Sequence, residues 1–190
     1  TIASGAAGYA YHPGITPAYK EGVVMRSDYV GSIGTSNGSN YSARSLTHEV
    51  GHYLNLPHTW GGTNNPGLPQ NCSDDDFVQD TPNTIGTNNF SCDTTQVTCG
   101  TLDNVQNYMD YASCHLMFTE GQKLRMHAAL NSTNGQRNNL HSQSNLIATG
   151  TNDGYVPVAK KNFAVGAVLN PEKAHDRGRV VILHLDARLL

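Results

Sequence analysis

Apolar residues along the 190-residue chain come in short runs broken by Gly, Pro, Asn and Asp. Residues 6–11 (AAGYAY) and 22–26 (GVVMR) read as short strands bounded by turn formers. Residues 31–39 (GSIGTSNGS) read as a loop. The first helical period covers residues 45–56, with Val50, Tyr53 and Leu54 on its apolar side, Leu56 near its end and Pro57 as its stop. A second helix is expected after Thr119, where TEGQKLRMHAAL supplies Thr119 as N-cap and Gln122 at the capping-box position. Leu124, Ala128 and Leu130 are its expected apolar side. Between these helices, residues 60–107 lack any period and are rich in Gly, Asn, Pro and Asp. So long an irregular stretch is uncommon unless it is functional or pinned.

Composition narrows the class. Hydrophobic residues make up 37%, enough for a core, and charged residues only 14%, against roughly 25% in an average domain. The net charge is -3 without a basic block, so nucleic acid is not an expected partner. No apolar run approaches the ~20 residues of a membrane helix, so no membrane partner is expected. The even set Cys72, Cys92, Cys99 and Cys114 contains no C-x-x-C pair, which favours two disulfides in an oxidising compartment over a thiolate metal site. Three pairings are open.

The chemistry concentrates in THEVGHYLNLPH. His48 and His52 lie four apart on the expected helix, so their imidazoles point the same way and can share one zinc ion (Zn2+). Glu49 flanks the first ligand and can reach a water at the metal without binding the metal itself. By itself this match fits equally a surface helix with two solvated histidines. His58 changes that. A straight helix would carry it away from the metal, so the chain must turn after about Leu54, and Asn55 is a residue that tolerates positive φ.

The three histidines and Glu49, followed much later by Asn107-Tyr108-Met109-Asp110-Tyr111, resemble the signature of the metzincin peptidases, with a Met-turn of the pappalysin/ulilysin type. The family glycine is Asn55 here. The resemblance spans roughly residues 6–145 and includes HTWGG after His58 and the Asp-rich run after Cys72. It implies an α+β zincin: a mixed twisted sheet with the active-site helix in an upper subdomain, and an irregular disulfide-bonded lower subdomain ending in a helix. It also implies a zinc endopeptidase acting on protein or peptide substrates. In it His48, His52 and His58 hold zinc, Glu49 is the general base, Met109 floors the metal, and Tyr111 binds the metal or the reaction oxyanion. The implied disulfides are Cys72 with Cys99 and Cys92 with Cys114.

Asp74, Asp75, Asp76, Asp80 and Thr81 read from composition as a solvated acidic turn; the resemblance instead places a calcium ion (Ca2+) there, with Asp76 and Thr81 as ligands. Residues 1–145 are expected to form the catalytic domain, with its N-terminal part shortened and a further N-terminal segment or prodomain as a partner. Residues 146–190 are expected to be an exit segment or the start of another region. Relatives that cut beside basic residues have a longer acidic stretch where this chain has only Ala112-Ser113, so that specificity is not expected. The protein is expected to be secreted. The competing reading is a zinc-bearing module that binds peptides with little or no catalysis. His12, His115, His127, His141, His175 and His184 lack ligand spacing and read as surface or core residues.

Overall fold

The computed structural model describes residues 2, 5–152 and 180–183. Strands β1 (Gly8–Ala10), β2 (Val23–Arg26) and β3 (Val180–Leu183) form a sheet in the order β1-β2-β3. Both pairings are antiparallel, with Tyr9 opposite Val24 and Val24 opposite Ile182. Val23 and Met25 alternate inward along β2 and are fully buried, as the period of two requires. The outer side of β1 carries no paired strand among the described residues.

Helix α1 (Asn40–Ala43) is a single turn capped by Ser39 and leads into α2 (Ser45–Tyr53), which packs on β1 and β2. The core joins Val23 and Met25 to Leu46, Tyr53, Leu54 and Leu56, then to Met109 and to Met126 and Leu130 of α3 (Glu120–Leu130). The expected capping box is present: the Thr119 hydroxyl accepts from Gln122 N, and the Gln122 carboxamide accepts from Thr119 N.

The face that α3 buries differs from the expected one. Leu124 is 68% exposed and Ala128 is exposed, while Gln122, Met126, Ala129 and Leu130 are inside. The reason is polar. Gln122 and Asn107 exchange two side-chain hydrogen bonds, of 2.8 and 3.1 Å, so a buried amide pair takes the place of an apolar contact and turns the helix about its axis.

Residues 60–107 hold few regular elements and are organised by side chains that satisfy the backbone. Buried Asn71 donates to the carbonyls of Asn65 and Ile85. Buried Asp103 accepts from Thr98 N, Thr98 Oγ1 and Gln96 Nε2. Cys72 is bonded to Cys99 and Cys92 to Cys114. The second bridge joins the irregular stretch to the segment just after Tyr111. Helix α4 (Gln143–Thr149) starts from the Ser142 cap and ends at Gly150, whose φ is 71°. The remainder of the tail, with His175 and His184, lies outside the described residues.

Candidate active site

Helix α2 ends in a tight reversal. Asn55 N–H bonds to the His52 carbonyl and Leu56 N–H to the Gly51 carbonyl, both at 2.9 Å, with Asn55 at φ 75°. This is the paired 5→2 and 6→1 closure that needs a left-handed residue. Pro57 then sends His58 back to the face carrying His48 and His52. The potential ligand atoms of these three histidines all lie within 4.8 Å of one another.

Each imidazole is held by its other nitrogen. Nδ1–H donates to a backbone carbonyl in all three: His48 to Tyr108 at 2.6 Å, His52 to Leu56 at 2.7 Å and His58 to Thr63 at 3.0 Å. A carbonyl only accepts, so the proton sits on Nδ1 and the three Nε2 atoms present their lone pairs to the site. Burial, reinforced by the neighbouring imidazoles, holds the pKa of His48 and His58 well below the ordinary value, and burial lowers His52 to about 4. The rings are therefore neutral at pH 7. Three neutral nitrogen donors converging with fixed tautomers fit a zinc ion.

Glu49 is buried, and burial raises its pKa to about 7 against a hydrogen bond from the Ala10 backbone. A cation on the neighbouring imidazoles would pull that value down again. Tyr111 lies across from the helix, its hydroxyl 3.2 Å from His58 Nε2. Burial first, then the charges of Glu49 and Asp110, raise its pKa to about 12, so it stays protonated and able to donate.

Met109 is fully buried beneath the triad against Gly51, where an added Cβ would collide with the Met109 sulfur. A helix-interior glycine costs roughly 1 kcal/mol relative to alanine, and here it makes room for that sulfur. Asn107 accepts from Met109 N at 2.9 Å and fixes the turn. His48, Glu49, His52, His58 and Tyr111 open into a cleft of about 490 Å³ whose upper wall is β1 and whose lower wall includes Gly61, Gly62 and Asn64.

Three contributors lie outside the expected set of catalytic and metal-binding residues. Trp60, fully buried, stacks on His58 with centroids 4.3 Å apart and planes 3° apart, and stands edge-on to Tyr111 at 4.8 Å. Its indole N–H donates to the same Thr63 carbonyl that orients His58. His12 lines the cleft edge-on to His52 at 5.5 Å, although it has no ligand spacing. Arg125 of α3 donates to the Asn55 carbonyl at 2.7 Å and the Asp76 carbonyl at 3.2 Å, tying the reversal to the acidic loop. A signal for Trp60 existed in its place two residues after His58. His12 and Arg125 are brought in by tertiary folding alone.

In that loop Asp76 and Thr81 come together. Both are buried, and Asp76 Oδ2 and Thr81 Oγ1 have no hydrogen-bond partner. Burial pushes the Asp76 pKa up to about 7. Two orphaned buried oxygens, one of them a carboxylate, fit a hard cation such as calcium. Asp74 and Asp75 instead accept from backbone amides: Asp74 from Gly62 N, across from the segment after His58, and from Asp75 N, and Asp75 from Phe77 N.

Residues 1–131 match the sequence profile of the peptidase family described as pregnancy-associated plasma protein-A. An extracellular metalloprotease of Colletotrichum graminicola is 38% identical over 64% of this chain and 44% of its own length. One from Arthroderma otae is 33% identical over 66% and 46%. Mature mirolysin of Tannerella forsythia, solved with a cleaved peptide, superimposes with a TM-score of 0.61 at 32% identity, covering 73% of this chain and 52% of that one. Promirolysin of the same organism gives 0.60 at 31%, covering 73% and 46%. The chain spans less than half the length of these curated relatives. With this match over most of its length, and with a metzincin-like fold closed around its three histidines, the chain belongs to the pappalysin family of metallopeptidases.

Proposed function

We propose that this protein is a secreted, zinc-dependent endopeptidase in which His48, His52 and His58 hold the metal, Glu49 is the general base and Tyr111 supports the oxyanion. The observation that carries this reading is the set of three tautomer-fixed Nε2 lone pairs beside a buried carboxylate. Zinc bound there would supply Lewis acidity and make a water nucleophilic near neutral pH. Glu49 takes the proton of the attacking water and returns it to the leaving amine. The protonated Tyr111 hydroxyl donates to the oxygen that gains charge. Met109 keeps the floor apolar and Trp60 keeps His58 in plane.

Mirolysin, solved with a cleaved peptide, supports a peptide substrate here, which we place in the cleft beneath β1, whose outer side carries no paired strand among the described residues; a prodomain is a further partner. Residues 1–145 form the catalytic unit, and 146–190 leave it as an exit segment or the start of another region, lending β3 back to the sheet. Secretion agrees with two disulfides and with relatives named extracellular; among the described residues no helix is long and apolar enough to cross a membrane.

The test combines metal content with cleavage of a peptide library. One zinc per chain is expected, with activity lost to a chelator and restored by zinc. Glu49→Gln is expected to keep the metal and lose at least ~10²-fold in turnover. Zinc without cleavage in the parent protein would favour the peptide-binding reading instead.

Calcium at Asp76 and Thr81 belongs to the same proposal. Calcium is expected to raise the melting temperature of chelator-treated protein where zinc does not, and Asp76→Asn to abolish that response. A response that survives the substitution would place the ion elsewhere.

A further inference from the structure

The chain contains five Asn-x-Ser/Thr triplets: Asn37-Gly38-Ser39, Asn40-Tyr41-Ser42, Asn71-Cys72-Ser73, Asn89-Phe90-Ser91 and Asn131-Ser132-Thr133. In a protein made through a eukaryotic secretory route such a triplet is an acceptor for asparagine-linked sugar. The fungal relatives named extracellular and the two disulfides make that route relevant here.

The fold separates the five. Asn71 is 3% exposed and its amide nitrogen donates to Asn65 and Ile85 at 2.9 and 3.0 Å, so a sugar there would have to displace the interior of the irregular region. The amides of Asn37 and Asn131 are exposed but committed, to Ser42 Oγ and to the His127 carbonyl, both at 2.8 Å. Asn40 and Asn89 are exposed, and among the described residues their amide nitrogens donate to nothing. Asn89 uses only its oxygen, which accepts from Ser91 N.

These two are also neighbours. The middle residues of their triplets, Tyr41 and Phe90, pack edge-on with centroids 5.2 Å apart. Tyr41 lies 5.5 Å from the His115 ring, and His115 bonds the carbonyl of Asp110, next to Tyr111. The Cys92–Cys114 bridge fixes the Asn89 loop to the chain just beyond Tyr111. Both asparagines thus stand on the Met-turn side of the cleft.

We propose that Asn40 and Asn89 carry a pair of asparagine-linked glycans that fences this side of the cleft, slowing folded proteins while leaving short peptides free to enter. In the modification the amide nitrogen bonds to the anomeric carbon of an oligosaccharide carried on a lipid pyrophosphate. The carbon–oxygen bond to pyrophosphate breaks, one amide proton is lost, and the lipid pyrophosphate leaves. The position of the sugars is independent of the peptidase reading; the fence rests on it.

The test is the full chain secreted from a yeast host, mapped by peptide mass spectrometry after amidase deglycosylation in heavy-oxygen water. Labelled aspartate is expected at positions 40 and 89, with Asn71 unlabelled. An unlabelled position 40 or 89 in the secreted folded protein, or a labelled position 71, overturns the assignment. Because Asn→Gln variants can fail in secretion, the fence is tested by trimming glycans from the folded protein with an endoglycosidase. A several-fold rise in turnover of a folded protein substrate with unchanged turnover of a short peptide is expected. Equal effects on both substrates, or no effect on either, overturn the fence while the mapping result stands by itself.

Discussion

His52 and His58 turn unprotonated Nε2 atoms toward each other across 3.2 Å. Two lone pairs at that distance repel unless a cation or a donated proton lies between them, and Tyr111 has only one hydroxyl proton to offer. The cost of assembling the triad is covered by three backbone carbonyls and by Trp60, the one tryptophan in the chain. Trp60→Phe keeps a ring over His58 but removes the N–H that shares the Thr63 carbonyl. Zinc affinity, read by competition with a chelator, is expected to fall by ~10-fold, in the range for groups that orient a ligand from behind. Unchanged affinity would limit Trp60 to filling space.

At the scale of elements, α3 links the two halves of the site. Its capping-box residue Gln122 holds Asn107, Asn107 holds the Met109 amide, and Arg125 holds the Asn55 reversal. The N-terminus of α3 is secured by Asp80, whose carboxylate accepts from Gly121 N at 2.9 Å. That bond, with one from Thr119, lowers the Asp80 pKa below its ordinary 3.8. A carboxylate with a depressed folded pKa stabilises above its unfolded pKa and loses that contribution as pH falls through the folded one. Asp80→Asn is therefore expected to cost about 0.5 kcal/mol at pH 7, the size of a helix-terminus charge effect, and progressively less as pH drops below 3.8. Urea melts at several pH values check it; a penalty independent of pH would leave only the hydrogen bond.

At the scale of the molecule, Arg137 gathers distant segments. Only 1% of its side chain is exposed; it pairs with Glu21 at 2.7 Å, donates to the carbonyls of Tyr53, Tyr11 and Gly135, and lies 3.5 Å over the Tyr53 ring. It thus fastens the end of α2 to the chain that follows β1. Arg137→Met leaves the Glu21 carboxylate largely buried without its partner, so a loss of about 3–5 kcal/mol is expected in urea unfolding. Adding Glu21→Gln should recover much of it. No recovery would mean that the carbonyl contacts, and not the ion pair, hold the segments.

By itself the sequence determined what local geometry controls. The spacing of His48 and His52 on a helix, the reversal at Asn55 and the Thr119–Gln122 cap follow from the helical period and from residues that tolerate particular backbone angles, all within a few positions of one another. The family likeness rested on the same local strings. Only the tertiary structure decided what depends on contacts between distant residues. It buried Gln122 and exposed Leu124, because the partner of Gln122 is Asn107. It set His12 beside His52 and Trp60 against both His58 and Tyr111. It left Asp76 Oδ2 and Thr81 Oγ1 buried without hydrogen-bond partners, where composition alone suggested solvated acid. Burial, tautomers and raised or lowered pKa values are properties of an enclosed environment, and an enclosure does not exist until the chain has closed on itself.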